Sequence, residues 1–311
     1  MILGLSPALW YTEGERKMYM RSGIECLICQ VGRQAEILEK AGEGDKKAYY
    51  QEVLRLYADA PDGLPVACLI PDCDRLYERY FPKPQPYREI KRRSNEFLLE
   101  RLPPLRTQVV AAEDGLLAAL RYARVGNYID FGVLNAKVAP EKLEKLLEEA
   151  QNAPVDAAEY EAFLRDVAGA RKLVYLMDNA GEIVLDGLLL EQLKTRFPDL
   201  SLVAVVRGRD VVNDATLSDA EAAGIGRYAK VVTNGSGIPG TYLPMAPDEL
   251  RREIETADVI LSKGQGNFET MYGCGLNVYY LFLCKCGWFR SLFGVPEMTG
   301  MFVNERRVKL Q

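Results

Sequence analysis

The chain has 311 residues, 48% hydrophobic and 27% charged, a composition that excludes collagen, a coiled coil and wholesale disorder. Its 39 basic and 44 acidic residues leave a net charge of −5, which argues against a broad nucleic-acid or anionic-membrane surface. Histidine is absent, so Ser-His, Cys-His and His-metal mechanisms are excluded together.

The length suits one large domain or two modest ones. The opening MILGLSPALWY lacks a basic leader, and the apolar stretch around Leu276–Cys284 carries Asn277 and is too short to span a bilayer. The expectation is therefore no signal peptide, no membrane partner and a cytoplasmic protein. Seven cysteines then read as reduced thiols.

Up to about residue 170 the pattern is helical. Segments 16–41 and 45–58 read as helices, the first ended by Gly42. In YREIKRRSNEFLLERL, Ile90, Phe97 and Leu98 share a face, and the helix is expected to stop at Pro103-Pro104. Leu116, Leu117 and Leu120 form a stripe after Asp114. Leu143, Leu146, Leu147 and Ala150 form another after Pro140, a natural first helical residue.

The second half changes character. Four short apolar runs at 173–177, 202–206, 230–233 and 258–262 alternate with helical stretches at 182–196, 217–223 and 247–256. Apolar strands separated by helices imply a parallel sheet covered on both faces, and such sheets bind ligands at the carboxyl ends of their strands. The fold class is α/β: a helical domain over 1–170, then an α/β domain over 171–311.

The strand ends carry the chemistry. After the first come Asp178, Asn179, Ala180, Gly181 and Glu182. A carboxylate beside a carboxamide offers hard oxygen ligands for Mg²⁺, Mn²⁺ or a similar ion. The competing reading is a helix cap by Asp178 or Asn179, with Glu182 closing a capping box. After the second strand come Arg207 and Arg209, basic groups that could face a phosphate, and then a second acid, Asp214, which could equally cap a solvated loop. After the fourth, Lys263, Gly264, Gln265, Gly266 and Asn267 could bind an anion through the ammonium and glycine amides, or form a plain turn with an exposed lysine. Three strand ends of this kind on one edge favour a site.

Other nucleotide readings fail. Gly235-Ser236-Gly237-Ile238-Pro239-Gly240 fits a dinucleotide fingerprint, but Pro244 and Pro247 forbid the helix that should follow, so it is a loop over the site. There is no GxxxxGK[ST] sequence, and a dehydrogenase or methyltransferase wants an acid where Arg207 stands.

DNAGEIVLD, VVNDAT and SKGQGNFET, in that order, resemble the signature motifs of the DUF89 family, the metal-dependent damage-control phosphatases of the ARMT1-like superfamily. GNYIDFG (126–132) resembles that family's GN-x-x-D element, and Cys26-Leu27-Ile28-Cys29 the CxxC of its prokaryotic subfamily. The resemblance covers at least residues 26–295. It implies a helical domain packed on a Rossmann-like, doubly wound, mainly parallel sheet. It further implies that Asp178, Asn179 and Asp214 ligate a divalent metal (Mn²⁺, Mg²⁺, Co²⁺ or Ni²⁺), and that Lys263, Gly264 and Asn267 contact phosphate or substrate. Asn127 and Asp130 would border the pocket. The reaction expected is hydrolysis of a small phosphorylated metabolite by metal-activated water, with Asp178, Glu182 and Lys263 as its catalytic groups. The motifs that define substrates in the eukaryotic and pantothenate-kinase-fused branches are absent.

Two rival readings stay open. Cys26, Cys29, Cys68 and Cys73 could hold structural zinc in a non-enzymatic binding protein, or be buried apolar side chains, as Cys274, Cys284 and Cys286 are expected to be. Methyl transfer from S-adenosylmethionine is the other, the weaker of the two because Arg207 stands where its cofactor wants an acid.

Overall fold

The computed structural model describes residues 23–82, 87–128 and 140–311. Among them are a six-stranded sheet and twelve α-helices. The strands are β1 (Lys172–Leu176), β2 (Ser201–Val206), β3 (Lys230–Thr233), β4 (Val259–Lys263), β5 (Val278–Cys284) and β6 (Thr299–Asn304). Their spatial order is β3-β2-β1-β4-β5-β6, with every pair parallel except β5–β6. The chain moves outward from β1 to β3, then crosses back to lay β4 on the other side of β1. The switch point thus falls between β1 and β4.

Both faces of the sheet are apolar. Leu173, Tyr175 and Met177 of the β1 segment point to one core with Leu202, Ala204, Leu261 and Leu281. Val174 and Leu176 point to the other with Val203, Val205, Ile260 and Phe282. This period of two explains why the strands read as unbroken apolar runs.

The first face is covered by α4 (Arg88–Ala111), α5 (Gly115–Gly126), α6 (Pro140–Ala150), α7 (Ala157–Ala168), α8 (Glu182–Arg196) and α9 (Leu217–Ala222). On the second lie α10 (Asp248–Glu255), α11 (Gly264–Met271) and α12 (Gly287–Phe293). Three helices, α1 (Ile24–Lys40), α2 (Lys46–Ala58) and α3 (Ile70–Tyr80), gather round their own cluster of Tyr49, Val53, Tyr57 and Phe81.

Several starts and stops follow local rules. Asp45 accepts from Ala48 N, Asp114 from Leu117 N, and Asp156 from Glu159 N, capping α2, α5 and α7. Three expectations need correction. Helix α4 does not stop at Pro103-Pro104 but runs to Ala111. Both prolines face solvent, where water can bond the freed carbonyls, while buried Leu98, Leu105 and Val109 pin the helix on either side. The stretch around Leu276–Cys284 is a fifth, fully buried strand, and 299–304 adds an antiparallel edge strand. Cys286 is exposed at the start of α12, where its sulfur accepts from Phe289 N.

Candidate active site

The loops after β1 and β2 run antiparallel and are tied together. Ala215 N donates to Asp178 O at 2.7 Å, Ala180 N to Asn213 O at 2.8 Å, and Asn179 bridges Asp214. Asp178, Asn179 and Asp214 are all buried. None is the N-cap residue of a helix. Helix α8 begins at Gly181, at φ +79°, with no side-chain cap of its own, and the Gly181 amide donates to Asn95 Oδ1 of α4 at 2.6 Å. Helix α9 is capped by Thr216 and Asp219. The N-cap positions beside the site are thus held by residues other than these three.

Gly264, also at positive φ (+76°), explains its own identity. A Cβ there would overlap the Asp178 carboxylate, so only glycine lets β4 turn into α11 this close to β1. Asn127 at the end of α5 reaches the same carboxylate, its Nδ2 donating to Asp178 Oδ2 at 3.0 Å and to Glu182 Oε2 at 3.1 Å. Asn179 Nδ2 donates to the same two oxygens at 2.8 and 2.9 Å, which leaves its carbonyl oxygen for a cation.

Arg207, 1% exposed, lies between the two aspartates. Its Nε donates to Asp214 Oδ2 at 2.6 Å and its Nη2 to Asp178 Oδ1 at 3.3 Å. The third branch, Nη1, reaches Asn267 Oδ1 at 3.4 Å.

Lys263 is not the exposed lysine of a plain turn. It is fully buried, and its Nζ meets Glu182 Oε1 at 2.6 Å, Asp186 Oδ1 at 2.6 Å and Ala123 O at 2.7 Å. The ammonium donates to Ala123 O and Asp186 and forms an ion pair with Glu182, so it is held inside the protein. Tyr175 also donates to Asp186, at 2.7 Å. Burial raises the Asp186 carboxyl to about 6, Lys263 opposing and Glu182 adding to the shift. Burial alone would lower Lys263, but Asp186 and Glu182 hold it above its ordinary value.

Asn267 is likewise occupied. Its Nδ2 donates to Met177 O and Lys263 O, and its Oδ1 accepts from Thr241 Oγ1 at 2.9 Å. Thr241 comes from the loop after β3, which packs against α11. Asp130 lies outside the described residues.

A divalent cation fits this donor set. Asp178 and Asp214 are carboxylates, Asn179 is a carboxamide, and all three offer hard oxygens. Around them four buried carboxylates (Asp178, Asp214, Glu182, Asp186) face two buried cations (Arg207, Lys263), an excess of negative charge that one divalent ion balances. Both polar side-chain atoms of buried Asn213, beside Asp214, have no partner among the described residues. Among those residues no group of three or more His, Cys, Asp or Glu side chains is placed to hold a metal, so Cys26, Cys29, Cys68 and Cys73 are not assembled into a zinc site. Cys68 and Cys73 are buried, and burial pushes both thiols up, Cys73 to about 11.

Sequence reasoning passed over Asp186 and Asn95. Asp186 had a visible signal, as a lone carboxylate in the otherwise apolar face of IVLDGLLL, in step with Glu182 one helical turn earlier. Asn95 had none, because its role depends on where α4 crosses α8.

Residues 20–300 match the family model described as the damage-control phosphatase ARMT1-like domain. An uncharacterized protein of Methanocaldococcus jannaschii is 36% identical over 211 residues, 65% of this chain and 67% of that protein. A damage-control phosphatase of Archaeoglobus fulgidus is 36% identical over 203 residues, 65% of this chain and 69% of its own length. The crystal structure of a DUF89 family protein from Pyrococcus horikoshii superposes with a TM-score of 0.74 at 25% identity, covering 92% of this chain and all of that one. No described helix is long and apolar enough to cross a membrane.

Proposed function

The chain belongs to the damage-control phosphatase ARMT1-like family, the metal-dependent phosphatases of small metabolites, and from that premise we propose that Asp178, Asn179 and Asp214 hold its divalent cation. The observation that carries the assignment is the bridged pair of loops that brings these three residues together, none of them at a helix N-cap position, at the switch point of the sheet. Bound there, the cation supplies Lewis-acid polarisation of a phosphoryl oxygen and lowers the pKa of water. Mn²⁺, Mg²⁺, Co²⁺ and Ni²⁺ all suit oxygen and carboxamide ligands.

The remaining residues position rather than react. Asn127 and Asn179 hold one oxygen of Asp178 by two hydrogen bonds and so orient its other oxygen. Asn267, bonded to the backbone of β1 and β4, fixes the spacing between the two strands that flank the site. Lys263 neutralises Glu182 and Asp186 beneath the ligands instead of reaching substrate. Backbone amides at the start of α11 lie beside Asp178 and could bind an anion, since Gly264 lies against that carboxylate. Without histidine, Glu182 is the carboxylate nearest the ligand shell for moving a proton.

Chelator-treated protein given Mg²⁺, Mn²⁺, Co²⁺ or Ni²⁺ in turn, over a panel of sugar phosphates and nucleotides, tests this. Metal-restored phosphate release is expected, reduced about a thousandfold or more in Asp214→Ala. Undiminished release by a folded Asp214→Ala protein would remove Asp214 from the site.

A further inference from the structure

The metal-site reading leaves one buried group without a role: the Arg207 guanidinium, wedged among the very oxygens that would ligate the cation. We propose that Arg207 is the site's resident counter-ion, which competes with the metal for Asp178 and Asp214 and, once they turn to the metal, binds the phosphoryl group of the substrate. The proposal rests on the assignment of those two aspartates as metal ligands.

Three observations support it. The guanidinium makes a charge-assisted bond to each aspartate, at 2.6 and 3.3 Å, so a cation entering between them meets a positive charge already there. Its backbone is fixed: the Arg207 amide donates to Ala215 O at 2.8 Å and the residue bridges Thr216, so the side chain pivots about a rigid point. And its third contact, to Asn267 Oδ1 at 3.4 Å, is the longest of the three, while that oxygen already accepts from Thr241 at 2.9 Å. A guanidinium that yields its carboxylates to a metal would be left buried with donors unsatisfied, which is costly unless an anion takes their place. A phosphoryl group offers pairs of oxygens that the planar fork of arginine can bind together.

This role predicts changes of opposite sign. Arg207→Met removes the competitor, so titration calorimetry should show Mn²⁺ binding about tenfold tighter. Inorganic phosphate, titrated into the Mn²⁺-loaded variant, should bind about tenfold or more weakly than to the wild type. Arg207→Lys, which keeps the charge and loses the fork, should leave Mn²⁺ affinity near wild type and still weaken phosphate. Should Arg207→Met fold only with Mn²⁺ present, chelator-triggered unfolding of the variant under conditions where wild type stays folded would support the counter-ion role. Weaker Mn²⁺ and weaker phosphate together in Arg207→Met would make Arg207 merely structural and overturn the proposal, as would unchanged affinity for either. Absence of Mn²⁺ binding by the wild type is a different failure, that of the metal-site assignment itself.

Discussion

Helix α11 has two sides that solve burial in opposite ways. Phe268 stacks into an aromatic cluster, with ring centroids 4.6 Å from Tyr280, 5.4 Å from Phe289 and 5.3 Å from Phe293. Its neighbour Asn267 accepts from Arg207, which in turn meets Asp178 in a layer of buried charge. The aromatic side gains stability from area and needs no particular partner. The charged side pays desolvation and is tolerable only because each group meets a defined partner. The candidate site lies on the side where burial costs stability.

The largest effects should separate these two kinds of burial. Lys263→Met leaves Glu182 and Asp186 without a counter-charge and should lose about 3–5 kcal/mol in urea unfolding. Combining it with Glu182→Gln should recover part of the loss. Phe268→Ala should cost a similar ~3–5 kcal/mol through the cavity it leaves, with no recovery from any charge change nearby. If Lys263→Met proves nearly neutral, the charged layer is not held together by pairing.

A smaller change sharpens the link between packing and chemistry. Gly264→Ala must displace the Asp178 carboxylate and strain a left-handed backbone, for a stability loss of about 1–2 kcal/mol. Metal affinity should suffer more than stability, by about a hundredfold in a Mn²⁺ titration. Equal wild-type affinity would show that Asp178 need not stand where it does.

The smallest effect is in the pH dependence. Asp186 is raised by burial to about 6 from an ordinary 3.8, so the folded protein holds its proton more tightly than the unfolded chain. Ionising it in the fold is thus a cost absent below pH ~4 and complete above pH ~6, and stability falls as pH rises through that window. Asp186→Asn cannot ionise, so its stability relative to wild type should improve between pH 4 and 7 by about 1–3 kcal/mol. A gap that stays constant with pH would mean Asp186 titrates normally.

The legible parts of this molecule are those set by local pattern. Four strands and the helices between them were marked by apolar period, and the metal-ligand candidates by their position at strand ends. Pro103-Pro104 misled because the stop signal is local, while Leu98, Leu105 and Val109 anchor α4 through tertiary contacts. Strand β5 is the same kind of unbroken buried run as β4, and it hid because its apolar length was weighed only as a candidate bilayer span. Lys263 was visible as a cation at a strand end, but its direction was not. It turns under the strand because Glu182 and Asp186 on α8 wait there, and no spacing along the chain records that. Arg207 was read for its sign, not for the carboxylates it holds.

The central claim is that two loop carboxylates and a carboxamide, not the cysteines, hold the metal. Calorimetric titration of Mn²⁺ into chelator-treated wild type and Asp178→Ala protein, with zinc content measured on both before stripping, tests it most directly. The account predicts one Mn²⁺ site in the wild type, weakened about a hundredfold or more in the variant, and no stoichiometric zinc. Unchanged Mn²⁺ binding by Asp178→Ala, or tightly held zinc that survives the substitution, would contradict it.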